Sequence, residues 1–388
     1  MGNRNNINQL YNIEKTIIPD RLKDARIYRG YSQQDLANMV NVSKQAISSY
    51  EKGNKNPSVD VLSSISMVLK FPFDFFYKEI TNKDVNPVFF FRSNSIAKKK
   101  KEMLYKKLQY FNNEILEFCN NYINFPKINL IEVSRNDNFT QDDIRNIVSE
   151  IREKWGINNS PINDLMYLMQ KNGCIISCID LNSEKTDGYS CWIEDRPIIL
   201  LNNVKDSASR QRFTLAHELG HIILHKNLDN DESLKQREAE ANFFAGEFLF
   251  PTEQAINEIY SASLDSFIPI KYKWKISIAA IIRRCIDLEL ITDDRYLILQ
   301  KQLSRKGWRV KEPLDDIIED ETPQLIQDIF DLLVKRNVLS KDFISNEIRF
   351  DKEELIEICG LREDFFKESL DVRLLKSVNN LSHIRNLT

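Results

Sequence analysis

Apolar positions in the first eighty residues recur at helical spacing in short runs, each opened by a polar residue able to cap a helix. Leu22 and Ala25 mark one face of a helix over 20–29. Ser32 opens a second, S-Q-Q-D-L-A-N-M-V, with Asp35 placed to complete a capping box. Asn41 follows at a turn, where asparagine tolerates left-handed backbone. Ser43 caps a third helix, S-K-Q-A-I-S-S-Y-E-K, which stops at Gly53. Pro57-Ser58 starts a fourth, with Val61, Leu62, Ile65 and Leu69 as its apolar face, and the aromatic run from Phe71 to Tyr77 closes the core. The pattern predicts an all-helical bundle over 14–80.

A connecting region over 81–135 follows. It holds a strand-like stretch, V-F-F-F-R, and a long helix over about 95–122. Leu104, Leu108, Phe111, Ile115 and Phe118 give that helix one apolar stripe, suited to packing or to dimerisation. It opens on Lys98 to Lys101, whose ordinary fate is a solvated helix start, with DNA-backbone contact as the alternative. Asn-rich, charged residues 134–140 read as a linker. Over 136–255 the pattern mixes periods: helices at 142–154 and 161–171, then strands C-I-I-S-C-I, G-Y-S-C-W-I and P-I-I-L-L-N, then two further helices. Residues 256–388 read as helical and carry little motif content.

Composition narrows the function classes. The 388 residues carry a net charge of −3, which excludes a protein that coats nucleic acid over its whole surface. Between Lys15 and Ser58, however, eight Lys/Arg face four acids, a local basic patch suited to a phosphate backbone. In the third helix Lys44, Gln45, Ser48 and Ser49 fall on outward positions, with Ala46, Ile47 and Tyr50 inward. Glutamine can read adenine in two hydrogen bonds, while lysine and serine reach bases or phosphate. Ser43 at the cap and Gln33 at the start of the second helix complete the expected double-stranded-DNA face, Gln33 holding a phosphate. A small helical protein-binding domain is the bland alternative. The six cysteines are scattered without a C-x-x-C pair, so a reducing, cytoplasmic setting without disulfides is expected. No apolar run is long enough to span a membrane.

Three of the four histidines fall in R-F-T-L-A-H-E-L-G-H-I-I-L-H. Residues four apart share a helix face, so His217 and His221 can place two imidazoles on one Zn²⁺, with Glu218 beside it as a general base. The bland alternative is a helix with packing or surface histidines. Ala216, Leu219, Gly220 and Ile223 bury one side of this helix, and a glycine inside a helix suggests a close neighbour. A catalytic zinc takes a third protein ligand. Glu238 is favoured, because its face carries Ala241, Asn242, Ala245 and Gly246, whose small members let two helices approach; Glu240, about 200° around the helix, stays open. His225 reads as a supporting residue rather than a ligand. Tyr189 or His225 is available to stabilise an oxyanion. The strand near Cys191 or Ile198 offers an edge for an extended substrate.

With these residues in view, 18–77 resembles the XRE/Cro type of helix-turn-helix, through S-Q-Q-D-L-A, V-S-K-Q-A-I-S-S-Y-E-K-G and N-P-S. Residues 142–252 resemble the ImmA/IrrE metallopeptidases, through R-Q-R-F-T-L-A-H-E-L-G-H-I-I-L-H and E-A-E-A-N-F-F-A-G-E-F-L-F-P. K-W-K-I-S-I-A-A-I-I-R-R-C-I-D-L-E-L-I resembles the segment that follows in fused members, and 313–388 matches no motif. The resemblance implies a mostly helical α+β chain: a helix-turn-helix bundle, a zincin-like peptidase domain with a small sheet over 136–255, and a helical C-terminal region over 256–388. It implies zinc on His217, His221 and Glu238, Glu218 as catalytic base, and cleavage of a regulatory protein such as a DNA-bound repressor. The alternative is a repressor or antitoxin that binds operator DNA and a toxin partner without proteolysis. A homodimer fits either.

Overall fold

The computed structural model describes residues 16–79, 88–90, 98–133, 138–180, 187–202, 207–226 and 234–367. The expected helix start at Ser95, most of the linker at 134–140, the approach from Asp231 and the tail beyond 367 lie outside the described residues.

Helices α1 (Pro19–Tyr28), α2 (Gln33–Met39), α3 (Lys44–Glu51) and α4 (Val59–Leu69), with a 3₁₀ turn at Phe73–Tyr77, form the N-terminal bundle. Its caps are those the sequence prescribes. Ser32 Oγ accepts the Asp35 N–H at 3.1 Å, and Asp35 accepts the Ser32 N–H at 2.7 Å. Ser43 Oγ accepts the Ala46 N–H at 3.1 Å. Asn41 sits at φ 54°, which turns the chain between α2 and α3. Leu22, Ala25, Leu36, Ile47, Ile65 and Leu69 are fully buried. Arg26 pairs with Glu51 at 2.5 Å and locks α1 to α3.

Strand β1 (Val88–Phe90) precedes α5 (Lys98–Tyr110), which continues through a π-helical turn at Phe111–Leu116 into α6 (Glu117–Asn120). The periodicity predicts one uninterrupted α-helix here. Within the wider turn Glu114 meets Arg21 at 3.1 Å and Lys78 at 2.5 Å, contacts that local spacing does not foresee. Leu104, Leu108, Phe111 and Ile115 are buried, so the stripe is spent on packing within the chain.

After α7 (Gln141–Lys154) and α8 (Leu165–Lys171) come β2 (Ile175–Ile179), β3 (Gly188–Ile193) and β4 (Arg196–Asn202). The sheet order is β1-β3-β4-β2; β2 runs parallel to β4 and the other pairs are antiparallel. Both faces of the sheet are covered, and strand alternation divides its side chains between two cores. Tyr189, Cys191, Ile198 and Leu200 join the core shared with the N-terminal bundle and α5. Trp192, Ile199 and Leu201 join the core of the following helices.

Those helices are α9 (Ala208–Leu224), α10 (Leu234–Leu249), α11 (Thr252–Glu258), α12 (Leu264–Trp274), α13 (Ile278–Asp287) and α14 (Asp293–Arg305). Arg212 of α9 is buried against Glu321, whose carboxylate also accepts the Leu165 and Met166 N–H groups at 2.9 and 2.8 Å. Three further helices, α15 (Leu325–Lys335), α16 (Lys341–Ile348) and α17 (Lys352–Cys359), turn back onto the first core. Phe350 packs 5.4 Å from Phe71, and Glu354 takes the Tyr28 hydroxyl at 2.7 Å and Arg29 at 2.5 Å. Ser177 Oγ donates to the Ile358 carbonyl at 2.6 Å. The C-terminal segment thus bridges the sheet and the N-terminal bundle. The whole is α+β and mostly helical. Among the described residues no helix is long and apolar enough to cross a membrane.

Candidate metal centre and nucleic-acid face

α9 and α10 cross closely because Gly220 has no side chain. A Cβ there would meet Phe244 at 3.1 Å and the Ala241 Cα at 3.3 Å. That approach brings Glu238 of α10 over the histidine pair of α9. His217 Nε2 and His221 Nε2 lie 3.1 Å apart, and the Glu238 oxygens lie 3.6 and 3.3 Å from them. These three residues form a group whose ligand atoms lie within 4.8 Å of one another. Glu240 is elsewhere: its carboxylate meets His225 Nε2 at 3.0 Å.

Hydrogen bonding around the site is satisfied by one set of neutral imidazole tautomers. Burial pushes Glu240 upward, but hydrogen bonds from His225, Gln236 and the Phe139 N–H outweigh it and hold the carboxyl below its ordinary range. An ionised Glu240 only accepts, so His225 donates through Nε2, which in a neutral imidazole leaves Nδ1 as an acceptor. His221 Nδ1, 2.9 Å away, then donates to it. On the other ring, His217 Nδ1 donates to Asn242 Oδ1 at 3.1 Å. Both Nε2 atoms therefore present lone pairs toward each other and toward a carboxylate. Three converging acceptors, with the outer nitrogens of both imidazoles satisfied, match a site for a divalent cation with His₂Glu ligands.

Glu218 is buried beside this group and accepts a hydrogen bond from Ser190 Oγ at 2.5 Å. A cleft of about 310 Å³ opens against it, walled by Gly188, Phe213, Thr214, His217 and Arg283. Tyr189 lies on the opposite face of the sheet from Ser190, buried in the other core, and cannot reach this cleft. His225 is wholly buried and engaged by His221 and Glu240, which removes it too as an oxyanion donor. Sequence reasoning placed Asn242 on the face of Glu238 but missed its contact with His217, and it missed Ser190 and the bond from His225 to Glu240. Asn242 stands one helical turn past Glu238, and Ser190 is the polar residue among inward positions of an apolar strand; both were available signals.

On the N-terminal bundle, Ser43, Lys44 and Gln45 are exposed, and Ser48 and Ser49 are half-buried. Gln33 is half-buried and donates from Nε2 to Glu51 at 2.8 Å. Gln33 and Lys44 border one cleft of about 310 Å³, joined there by Lys99 from α5. Ser43 is occupied as the cap of α3.

Comparison with known proteins gives the same two parts. Residues 22–76 match the helix-turn-helix family model, and residues 169–285 match the Peptidase M78 model, the IrrE N-terminal-like domain. The chain is also 36% identical over 59 residues to the SPbeta prophage-derived uncharacterized HTH-type transcriptional regulator YonR of Bacillus subtilis (strain 168). That alignment covers 15% of this chain and 55% of the relative, so the chain spans just over half of that protein's length. The chain joins an XRE-type helix-turn-helix domain to an IrrE/ImmA-like domain of the M78 peptidase family.

Proposed function

We propose that this chain is a DNA-binding regulator whose second domain is a zinc endopeptidase acting on a regulatory protein. The observation that carries the proposal is the convergence of His217, His221 and Glu238 beside Glu218 in a chain that also holds a helix-turn-helix domain. Zinc held by those three residues supplies a Lewis acid that polarises a scissile carbonyl and makes a water acidic. Glu218 takes the proton of the attacking water and passes it to the leaving amine. Ser190, through its short bond to Glu218, holds that carboxylate in place. Arg283 and Phe213 border the cleft that receives the substrate chain. On the other domain, Gln45, Ser48 and Ser49 face the bases of a duplex, with Ser43, Lys44 and Gln33 beside its backbone.

An extended substrate gains affinity by adding to an open strand edge. The outer edge of β3, the strand that carries Ser190, is held by β1, with Phe90 opposite Ser190. A substrate that binds by adding to this edge would therefore need β1 to leave it. The same observation favours the second reading, a repressor or antitoxin that grips a partner without cutting it.

The test is mass spectrometry of proteins that co-purify with wild type and with Glu218→Ala from the native cell. A partner intact with the variant and cut with wild type supports the peptidase. A partner intact with both replaces it by the binding module.

A further inference from the structure

The run Lys98–Lys101 divides in space. Lys100 lies 5.8 Å over the Tyr189 ring, toward the sheet, where burial lowers its pKa. Lys98 and Lys99 are exposed. Lys99 reaches α2, with its Nζ 3.4 Å from Asp35 Oδ2, and lines the same cleft as Gln33, Gln34 and Lys44. Side-chain exposures of 58% and 46% make the Lys99–Asp35 pair a weak one. Asp35 does not depend on it, since the Ser32 N–H and hydroxyl already serve its carboxylate or its helix end. Arg26, also on the cleft, is committed to Glu51.

In a helix-turn-helix the second helix of the motif, here α3, enters the major groove, and the start of the first meets the phosphates beside it. The cleft between Gln33 and Lys44 is where such a phosphate would lie, and Lys99 stands on its rim from outside the bundle. Glu102 is the one acid lining the cleft, and Asp35 stands beside it as the partner of Lys99. We propose that Lys99, with the exposed Lys98 beside it at the start of α5, extends the nucleic-acid face beyond the helix-turn-helix domain and holds the DNA phosphate backbone next to Gln33 and Lys44. The inference rests on the DNA-binding reading of the bundle.

Backbone contact is sequence-independent, so the probe is a mixed-sequence duplex of about three helical turns, titrated with the full chain by fluorescence anisotropy over a range of salt. Each lost phosphate contact should lower the slope of log K against log salt by about 0.9. Lys98→Gln/Lys99→Gln should therefore flatten the slope by about 1 to 2 and weaken binding at every salt. Lys98→Arg/Lys99→Arg should restore both. Lys98→Gln alone, which leaves Lys99–Asp35 intact, should flatten the slope by about 1 if the double variant proves unstable. Wild-type slopes in both Gln variants overturn the proposal and leave Lys99–Asp35 as a structural latch. Absence of salt-dependent binding by wild type overturns instead the DNA-binding reading on which the proposal stands.

Discussion

His225 donates from Nε2 to Glu240 Oε2 at 3.0 Å, and neither side chain is open to solvent. In that tautomer His225 accepts from His221 through its other nitrogen, so a carboxylate two residues from Glu238 orients His221, one of the proposed zinc ligands, on the neighbouring helix. Removing a partner of this kind ordinarily weakens a metal site by about 10–100-fold. His225→Ala should lose zinc affinity within that range, measured by competition with a chromophoric chelator. Glu240→Ala, which leaves the His221–His225 bond in place, should lose less. Equal dissociation constants for all three proteins would show that the chain of bonds has no influence on the ion.

Gly220 sets the spacing between the two helices of the centre. Gly220→Leu forces its side chain into Phe244 and the Ala241 backbone, an overpacking cost of about 1–3 kcal/mol. Gly220→Ala sets a gain in helix propensity of about 1 kcal/mol against contacts of 3.1–3.3 Å, so its net effect should be small. Denaturant unfolding of both variants checks the contrast. A stable Gly220→Leu protein would mean that α9 and α10 can separate without cost.

Asp35 offers a pH-dependent cap. Hydrogen bonds from the Ser32 N–H and hydroxyl hold its carboxyl below the ordinary value of 3.8, with Lys99 adding a smaller push the same way. A folded value below the unfolded one gives stabilisation that is complete above the unfolded value and is lost as pH falls through the folded value. The α2 cap should therefore weaken only in acid below about pH 4. An NMR titration of the Asp35 side-chain carbon should show a midpoint under 3.8. A midpoint at or above it would contradict the capping box as drawn.

How much of this was legible in the sequence depended on the range of the contacts. The caps at Ser32 and Ser43, the left-handed Asn41, the three strands and the pair His217/His221 are local features, each readable within one or two turns of chain. The choice between Glu238 and Glu240 was also approachable, because small residues mark which side of α10 meets α9. Other features carry no local mark. Periodicity in 325–365 predicts helices but not that Phe350 and Glu354 return to Tyr28, Arg29 and Phe71. Nor does V-F-F-F-R reveal which strand it will join, since backbone pairing depends on an edge being left open elsewhere.

Glu354 joins α17 to the N-terminal bundle through Tyr28 and Arg29. Glu354→Ala removes a hydrogen bond and an ion-pair partner while leaving the buried Tyr28 hydroxyl and Arg29 in place. The expected loss is about 1–3 kcal/mol, the usual cost of stranding a buried polar group. Thermal unfolding of the full chain should show it. A variant as stable as wild type would mean that apolar packing around Phe350 alone secures this junction.

β1 occupies one edge of β3. Its three residues pair antiparallel with Ser190, Cys191 and Trp192, so the β3 backbone groups that face β1 there are already used by the chain itself. Proline lacks an N–H and removes a ladder bond wherever that N–H faces the neighbouring strand. In a strand the N–H groups of successive residues point to opposite edges, so of Phe89→Pro and Phe90→Pro one must strike a bond to β3. That variant should speed backbone hydrogen exchange in 188–193 and raise the affinity for an extended peptide copied from residues 86–94, read by fluorescence polarisation. If the edge is the substrate's, the same variant loaded with zinc should cleave faster than wild type. Unchanged exchange in both proline variants would show that β1 does not guard β3, and the peptidase reading would then need no release step.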